Sequence, residues 1–439
     1  MGRLIAGLRD KTQMTIDLET IRAQFPALSI VDGDMPRIYF DNPAGTQVPT
    51  MVAERMQQCL LESNANIQGG FRTSNLVDAI VEDAHQAVAD LINAPSRDEV
   101  VFGANMTTLT LHLSRSIGRC FSRGDEIILS RMCHDANVGP WLMLARDLGL
   151  EVKWMPFNTE TFEFDLDQYD DLLTDKTKLV CVGGASNMTG TINDIKSICA
   201  RAHAAGAWTY IDAVQSVPHV STDVQDLDCD FLVCSPYKFF GPHQGMLWGR
   251  REILEMLEPY KVRPASSEIP ACFETGTQNH EGMAGTTAAI DYFAWIGESM
   301  AGQYHEHYSQ FEGRRKYVHA AMDCLFAYEK GLVQHLINGL QQLPGVRIQG
   351  ITAPDAMHRR VPTVSFTVDG VNPGAIAEDL AARNIFVWSG NYYAVEVATA
   401  LGIIDSGAVR IGPVHYNSIA EVDQVLNALD DILPRAQVA

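Results

Sequence analysis

The chain has 439 residues, 46% hydrophobic and 20% charged, and its 33 Lys and Arg against 54 Asp and Glu leave a net charge of −21. That acidic balance argues against nucleic acid and anionic membrane surfaces as general partners, while the length can bury a core without disulfides or a metal. Nine scattered cysteines without a CxxC pair read as reduced core thiols, and no metal site is expected. The first residues carry no long apolar run before a cleavage site, so neither a signal peptide nor a membrane span is expected, and the cytoplasm is the expected compartment.

In chain order, apolar residues at 77, 80, 81, 84, 88, 91 and 92 predict a helix over Leu76–Ile92. Met106, Leu109, Leu113 and Ile117 predict a second, entered at Asn105 and stopped near Gly118. Short apolar strands are predicted at Glu126–Leu129, Leu179–Val182, Trp208–Ile211, Phe231–Cys234 and Met246–Trp248, with helices at Trp141–Leu148 and Asp194–Ala205 between them. Alternation of apolar strands with helices implies an α/β fold whose mostly parallel sheet is covered on both faces. After about residue 290 the texture changes. Long helices over Met300–Asn338 precede strands at Val346–Ile348 and Thr363–Val368, a helix at Pro373–Arg383, a strand at Val409–Ile411 and a helix at Ala420–Leu433. The expected organisation is a large domain over 41–290 and a smaller α+β domain over 291–439, joined by an N-terminal arm of residues 1–40.

The chemistry concentrates just past strand ends. Asp212 closes one predicted strand, and Lys238 follows another in Ser235-Pro-Tyr237-Lys238-Phe-Phe-Gly-Pro. A lysine and an upstream carboxylate so placed suit pyridoxal 5'-phosphate: the lysine forms a Schiff base with the aldehyde, and the aspartate keeps the pyridine nitrogen protonated. Gln215 can donate to the cofactor's phenolic oxygen, and Asn187, also past a strand, can orient it or shape a turn. His134 can stack on the ring and relay protons, since imidazole titrates near neutral pH. For the phosphate, Asn105, Met106 and Thr107 open a helix whose free amides bind anions, and Ser235, Tyr237 and Thr277 add hydroxyls. Arg410 can clamp a substrate α-carboxylate. No GxGxxG fingerprint precedes the helix at 105, so a dinucleotide enzyme is poorly supported.

Together with Tyr39-Phe-Asp-Asn42-Pro-Ala44, Cys133-His134-Asp-Ala-Asn-Val, Ser186-Asn187-Met-Thr-Gly-Thr191, Asp212-Ala-Val-Gln215 and Phe273-Glu-Thr-Gly-Thr277, these segments resemble the class V aminotransferase family of fold-type-I pyridoxal phosphate enzymes, the cysteine desulfurases and selenocysteine lyases in particular. The resemblance implies a large domain with a seven-stranded type of sheet and a smaller α+β domain. It implies Lys238 as the cofactor lysine, Asp212 at the pyridine nitrogen, His134 on the ring and Arg410 on the substrate carboxylate. Asn42, Arg72, Trp388 and Tyr393 then belong around the substrate. It also implies a homodimer in which Thr277 reaches the partner's cofactor phosphate. The departures sit on the substrate side. Desulfurases carry a persulfide-forming cysteine on a loop where this chain reads Trp388-Ser-Gly-Asn-Tyr-Tyr393, so Tyr393 stands at the cysteine position and Trp388 at an arginine. Tyr237 and Arg72 replace two of the family's histidines.

The expected function is therefore a pyridoxal phosphate enzyme acting on an α-amino acid, with a lyase-type reaction at Cα or Cβ rather than persulfide formation. Transamination, epimerisation and decarboxylating carbon–carbon bond formation share the same machinery. A non-catalytic binding or regulatory protein on this fold is disfavoured, because binding alone needs no electron sink. The aromatic residues of the 388–393 loop suit a pocket for an apolar or aromatic side chain, or simply close the loop.

Overall fold

Seven strands form the larger sheet of the computed structural model, which describes residues 16–436. They are β1 (Val100–Gly103), β2 (Glu126–Ser130), β3 (Glu151–Met155), β4 (Thr177–Gly183), β5 (Trp208–Asp212), β6 (Phe231–Cys234) and β7 (Gly245–Gly249). Their spatial order is β3-β2-β4-β5-β6-β7-β1, and only β7 runs against both neighbours. Side chains alternate between two cores. Ile128, Val180, Val182, Ile211, Leu232 and Met246 point to one face, and Ile127, Leu129, Leu179, Cys181, Val233 and Leu247 to the other. Strands buried on both faces read as continuous apolar runs, which is how the central ones are visible in the sequence. The two strands not expected from the sequence, β1 and β3, are the two edges: β3 carries Glu151 and Lys153 on a partly exposed ribbon, whereas β1 is a buried apolar run, Val100–Phe102, like the central strands.

Three helices matter for the site: α1 (Met106–Gly118), α2 (His280–Met300) and α3 (Gly313–Leu340). Of the long helices expected over Met300–Asn338, the structure has one from Gly313 on; residues 301–312 form a short connection with Gly302 and two histidines and no helical apolar spacing. Helix α2 is buried around nearly its whole circumference, so no polar face marks its period. It lies entirely in the large core, through Met283, Ala288, Ile290 and Phe293. Position 290 is therefore mid-helix, and the change of core comes later, inside α3: Val318–Leu325 pack with the large sheet and Leu332–Leu340 with the small one.

The smaller sheet comprises β8 (Val346–Gln349), β9 (Val364–Val368), β10 (Trp388–Gly390) and β11 (Ala408–Ile411), antiparallel in the order β8-β9-β11-β10. The N-terminal arm divides its allegiance. Ile38 and Phe40 enter the small-sheet core, with Ile38–Tyr39 pairing alongside Ile385–Phe386, whereas Ile21, Phe25 and Leu28 pack into the large one; residues 1–15 of that arm lie outside the described part. Between the cores, Glu329 of α3 accepts from His219 Nδ1 (2.8 Å) and from the His415 amide (3.0 Å), with all three residues buried. This fastens the loop after β5 to the loop after β11. Among the described residues no helix is long and apolar enough to cross a membrane.

Candidate active site

Parallel strands end along one edge, and the segments leaving those ends converge there. His134 follows β2, Asn187 follows β4, Asp212 ends β5, and Asn105 follows β1. Because β7 reverses direction, the 235–244 connection from β6 turns back over the same edge and carries Lys238 on the short turn Pro236–Lys238. Arg410 arrives from β11. The result is a cavity of about 570 Å³ between the two sheets.

Lys238 Nζ donates to the carbonyls of Pro43 (2.7 Å) and Ala44 (2.8 Å) and lies 4.6 Å above the Tyr237 ring. Burial and then the Arg410 charge lower its pKa to about 7, against the opposing pull of Asp41 and Asp212. Asp212 is buried and accepts the Val214 amide on Oδ1 (3.0 Å); burial raises its pKa to about 6, countered by that amide and by Lys238. A carboxylate so desolvated gains from a cation beside it, which a protonated pyridine nitrogen supplies. Gln215 Nε2 donates to Pro43 O (2.9 Å) on the same floor.

His134 is fixed in one neutral form. The Ala136 amide donates to its Nδ1 (3.0 Å), which leaves the proton on Nε2, and burial with the charges of Lys238 and Arg410 lowers its pKa to about 4. In this geometry the imidazole is a flat, neutral donor. Asn187 Nδ2 donates to Tyr392 O (2.8 Å), while its buried Oδ1 has no protein partner. Arg410 Nη1 donates to Asn187 O (3.0 Å), its guanidinium lies 4.2 Å over the Tyr392 ring, and Asp41 approaches to 3.6 Å. Its buried Nε is unpartnered.

At the far end Asn105 caps α1, accepting the Thr108 amide (2.8 Å), and Ser235 Oγ accepts from Met106 N (3.2 Å). Thr107 and Tyr237 complete that wall, with Tyr237 stacked on His243 at 4.9 Å. Recessed amine, desolvated carboxylate, neutral imidazole and helix N-terminus thus occur in one cavity of ligand size, and this set fits pyridoxal phosphate.

Trp388 and Tyr393 also line the cavity; Asn42, Arg72 and Thr277 do not. Asn42 is buried beneath the floor, donating to Gly412 O (2.7 Å) and Tyr39 O (3.1 Å) and accepting from the Tyr416 hydroxyl, so its amide ties the arm to the β11 loop and is not free for a substrate. Arg72 is exposed at the start of helix Arg72–Leu91. Thr277 is exposed in a loop lining a separate hollow with Thr108, His112 and Gln244. Conversely, Asp41, the Pro43 and Ala44 carbonyls, Asp405 and Ser406 reach the site without having been expected. Backbone acceptors leave no side-chain signature, though Asp41, the partner of Arg410, lies within the recognised segment Tyr39–Ala44.

The family model described as Aminotransferase class-V matches residues 38–315 and 314–425. An aminotransferase-like protein of Gibberella zeae is 33% identical over 95% of this chain and 99% of its own length. A probable cysteine desulfurase of Streptomyces coelicolor is 32% identical over 95% and 97%. Among solved structures, the apo cysteine desulfurase of Thermococcus onnurineus is similar with a TM-score of 0.83 at 28% identity, covering 95% of this chain and 98% of that one. The cysteine desulfurase CsdA of Escherichia coli gives 0.80 at 27%, covering 96% and 100%.

Proposed function

We propose a lyase-type reaction at Cα or Cβ of an α-amino acid, on the premise that this chain belongs to the class-V aminotransferase family and is a pyridoxal phosphate-dependent enzyme. The cofactor, when bound, supplies the sink for electrons released from a bond at Cα. Lys238 is the residue to which it attaches, and an amine with a pKa near 7 also serves to take or return the Cα proton. Asp212 would keep a proton on the ring nitrogen. His134 would lie against the ring as a neutral donor, and Asn187 with Gln215 would serve the phenolic oxygen. Arg410 receives the substrate carboxylate, and fixing that group selects which Cα bond is broken.

One observation carries the choice of lyase over persulfide formation: the cavity holds no reactive thiol. Tyr393 occupies the loop position, and the cavity's own cysteine, Cys133, is buried, with burial and Asp212 raising its pKa to about 12. A thiol that stays protonated is a poor sulfur acceptor. The test is to reconstitute the protein with pyridoxal phosphate, add each amino acid, and follow both spectrum and products. Ammonia with a keto acid, from an amino acid that carries a leaving group at Cβ, is the expected result; the pyridoxamine form accumulating with one equivalent of keto acid and no ammonia would make the enzyme an aminotransferase.

The same reading includes a homodimer with Thr277 reaching the partner's cofactor phosphate, supported by its exposure away from its own cavity and by apolar residues such as Leu61 (74% exposed) and Phe71 (55%) on the surface. The nine thiols, all unpaired, support a reducing compartment such as the cytoplasm.

A further inference from the structure

The segment 391–408 is built into the protein as a fixed wall. Tyr392, Ala394, Val397, Ala398 and Ala408 form a separate apolar cluster with Met132, Phe157, Phe162 and Met188 of the large domain. Its backbone is tied at two points, where the Asp135 amide donates to Tyr393 O (2.8 Å) and Asn187 Nδ2 donates to Tyr392 O (2.8 Å). Glu396 pairs with Arg131, and the Tyr392 hydroxyl donates to Ala408 O. Tyr392 and Tyr393 both adopt left-handed backbone, at φ 55° and 57°. Side chains larger than glycine disfavour that region, and two in succession persist because the surrounding bonds hold them.

This conformation divides the two tyrosines. Tyr392 turns inward beneath Arg410, while Tyr393 is 71% exposed and stands beside His134, with ring centroids 5.6 Å apart. Trp388 of β10 is 55% exposed on the same cavity, and Ile404 adds an apolar surface. Two large aromatics exposed at a cavity mouth lose water contact when an apolar group comes between them. Asp405, on the same rim, repels an anionic side chain.

We propose that Trp388 and Tyr393 form the substrate side-chain subsite, and that the enzyme selects amino acids with a large apolar or aromatic side chain over small and acidic ones. This rests on the reading of the site as one for α-amino acids: with the carboxylate on Arg410, the side chain leaves the cavity through its aromatic mouth.

The test titrates the reconstituted holoenzyme with phenylalanine, leucine, alanine and glutamate as side-chain probes, each followed by the spectral change on binding. Wild type is expected to bind phenylalanine and leucine roughly 10-fold or more tightly than alanine, a discrimination typical of one or two buried methylene equivalents, with glutamate the weakest. Tyr393→Ala is expected to shrink the preference to near unity, chiefly by raising the Kd of the large amino acids, and Trp388→Ala to act in the same direction. Cofactor content serves as the control for folding. A preference for alanine or glutamate, or a preference that survives both substitutions, would overturn the subsite while leaving the amino-acid reading intact. No spectral response to any amino acid would overturn that reading and the subsite with it.

Discussion

At the scale of single residues, the site is governed by what burial does to charge. Lys238 carries a pKa near 7 instead of 10.5 because desolvation and the Arg410 charge both penalise its ammonium form. The free amine that the proposed attachment requires therefore becomes abundant as pH rises through about 7, and the rate of cofactor uptake by cofactor-free protein is expected to climb across that range. The same shift has a stability sign. Between about pH 7 and 10.5 the unfolded chain keeps a proton that the folded one has lost, so folding stability rises with pH in that window. Lys238→Met should remove that contribution, and denaturant titrations of both forms across the window would show it. At Arg410, substitution by Lys keeps the charge but loses the planar fork. Its expected effect is a rise of roughly 10- to 100-fold in KM for the amino acid, the scale of one charge-assisted hydrogen bond, with cofactor uptake intact. Unchanged KM would contradict the clamp.

Lys238, Asp212, His134 and Arg410 were legible in the sequence because each is a chemically distinctive side chain just beyond, or within, an apolar run. Asn42 misled for the opposite reason. An amide in a recognised segment looks like a ligand, and nothing in its neighbours along the chain tells that Gly412 and Tyr416 consume it. Lys238's own acceptors are carbonyls of Pro43 and Ala44, a pairing 194 and 195 residues apart that no side-chain pattern encodes.

Among the elements, visibility followed burial pattern only in part. Central strands advertise themselves by unbroken apolar runs and edge β3 does not, but edge β1 has such a run in Val100–Phe102 and was still missed; α2 hides because it is apolar on nearly every side. Helix α2 also shows how closely elements meet behind the site. A Cβ at Gly297 would lie 1.8 Å from the Tyr317 carbonyl oxygen of α3, so the helices touch where no side chain fits. Gly297→Ala must push them apart, and a loss on the order of 1–3 kcal/mol of unfolding free energy is expected. A variant as stable as wild type would show that the crossing is looser than this contact requires.

The molecule as a whole places its cavity where two cores meet, and α3 belongs to both. Asp212 and Lys238 come from the large sheet, Arg410 and the aromatic wall from the small one, and the Glu329 bridge holds the two sides in register. The proposed dimer belongs to this scale too. Sedimentation should give twice the chain mass, and Thr277→Ala should weaken cofactor retention without changing that mass; a monomer that retains cofactor fully would contradict the shared site. Everything rests on one covalent attachment. Borohydride treatment of the protein reconstituted with pyridoxal phosphate, followed by peptide mass mapping, is predicted to fix the cofactor to Lys238 alone. Label on another lysine, or none at all, would contradict the account.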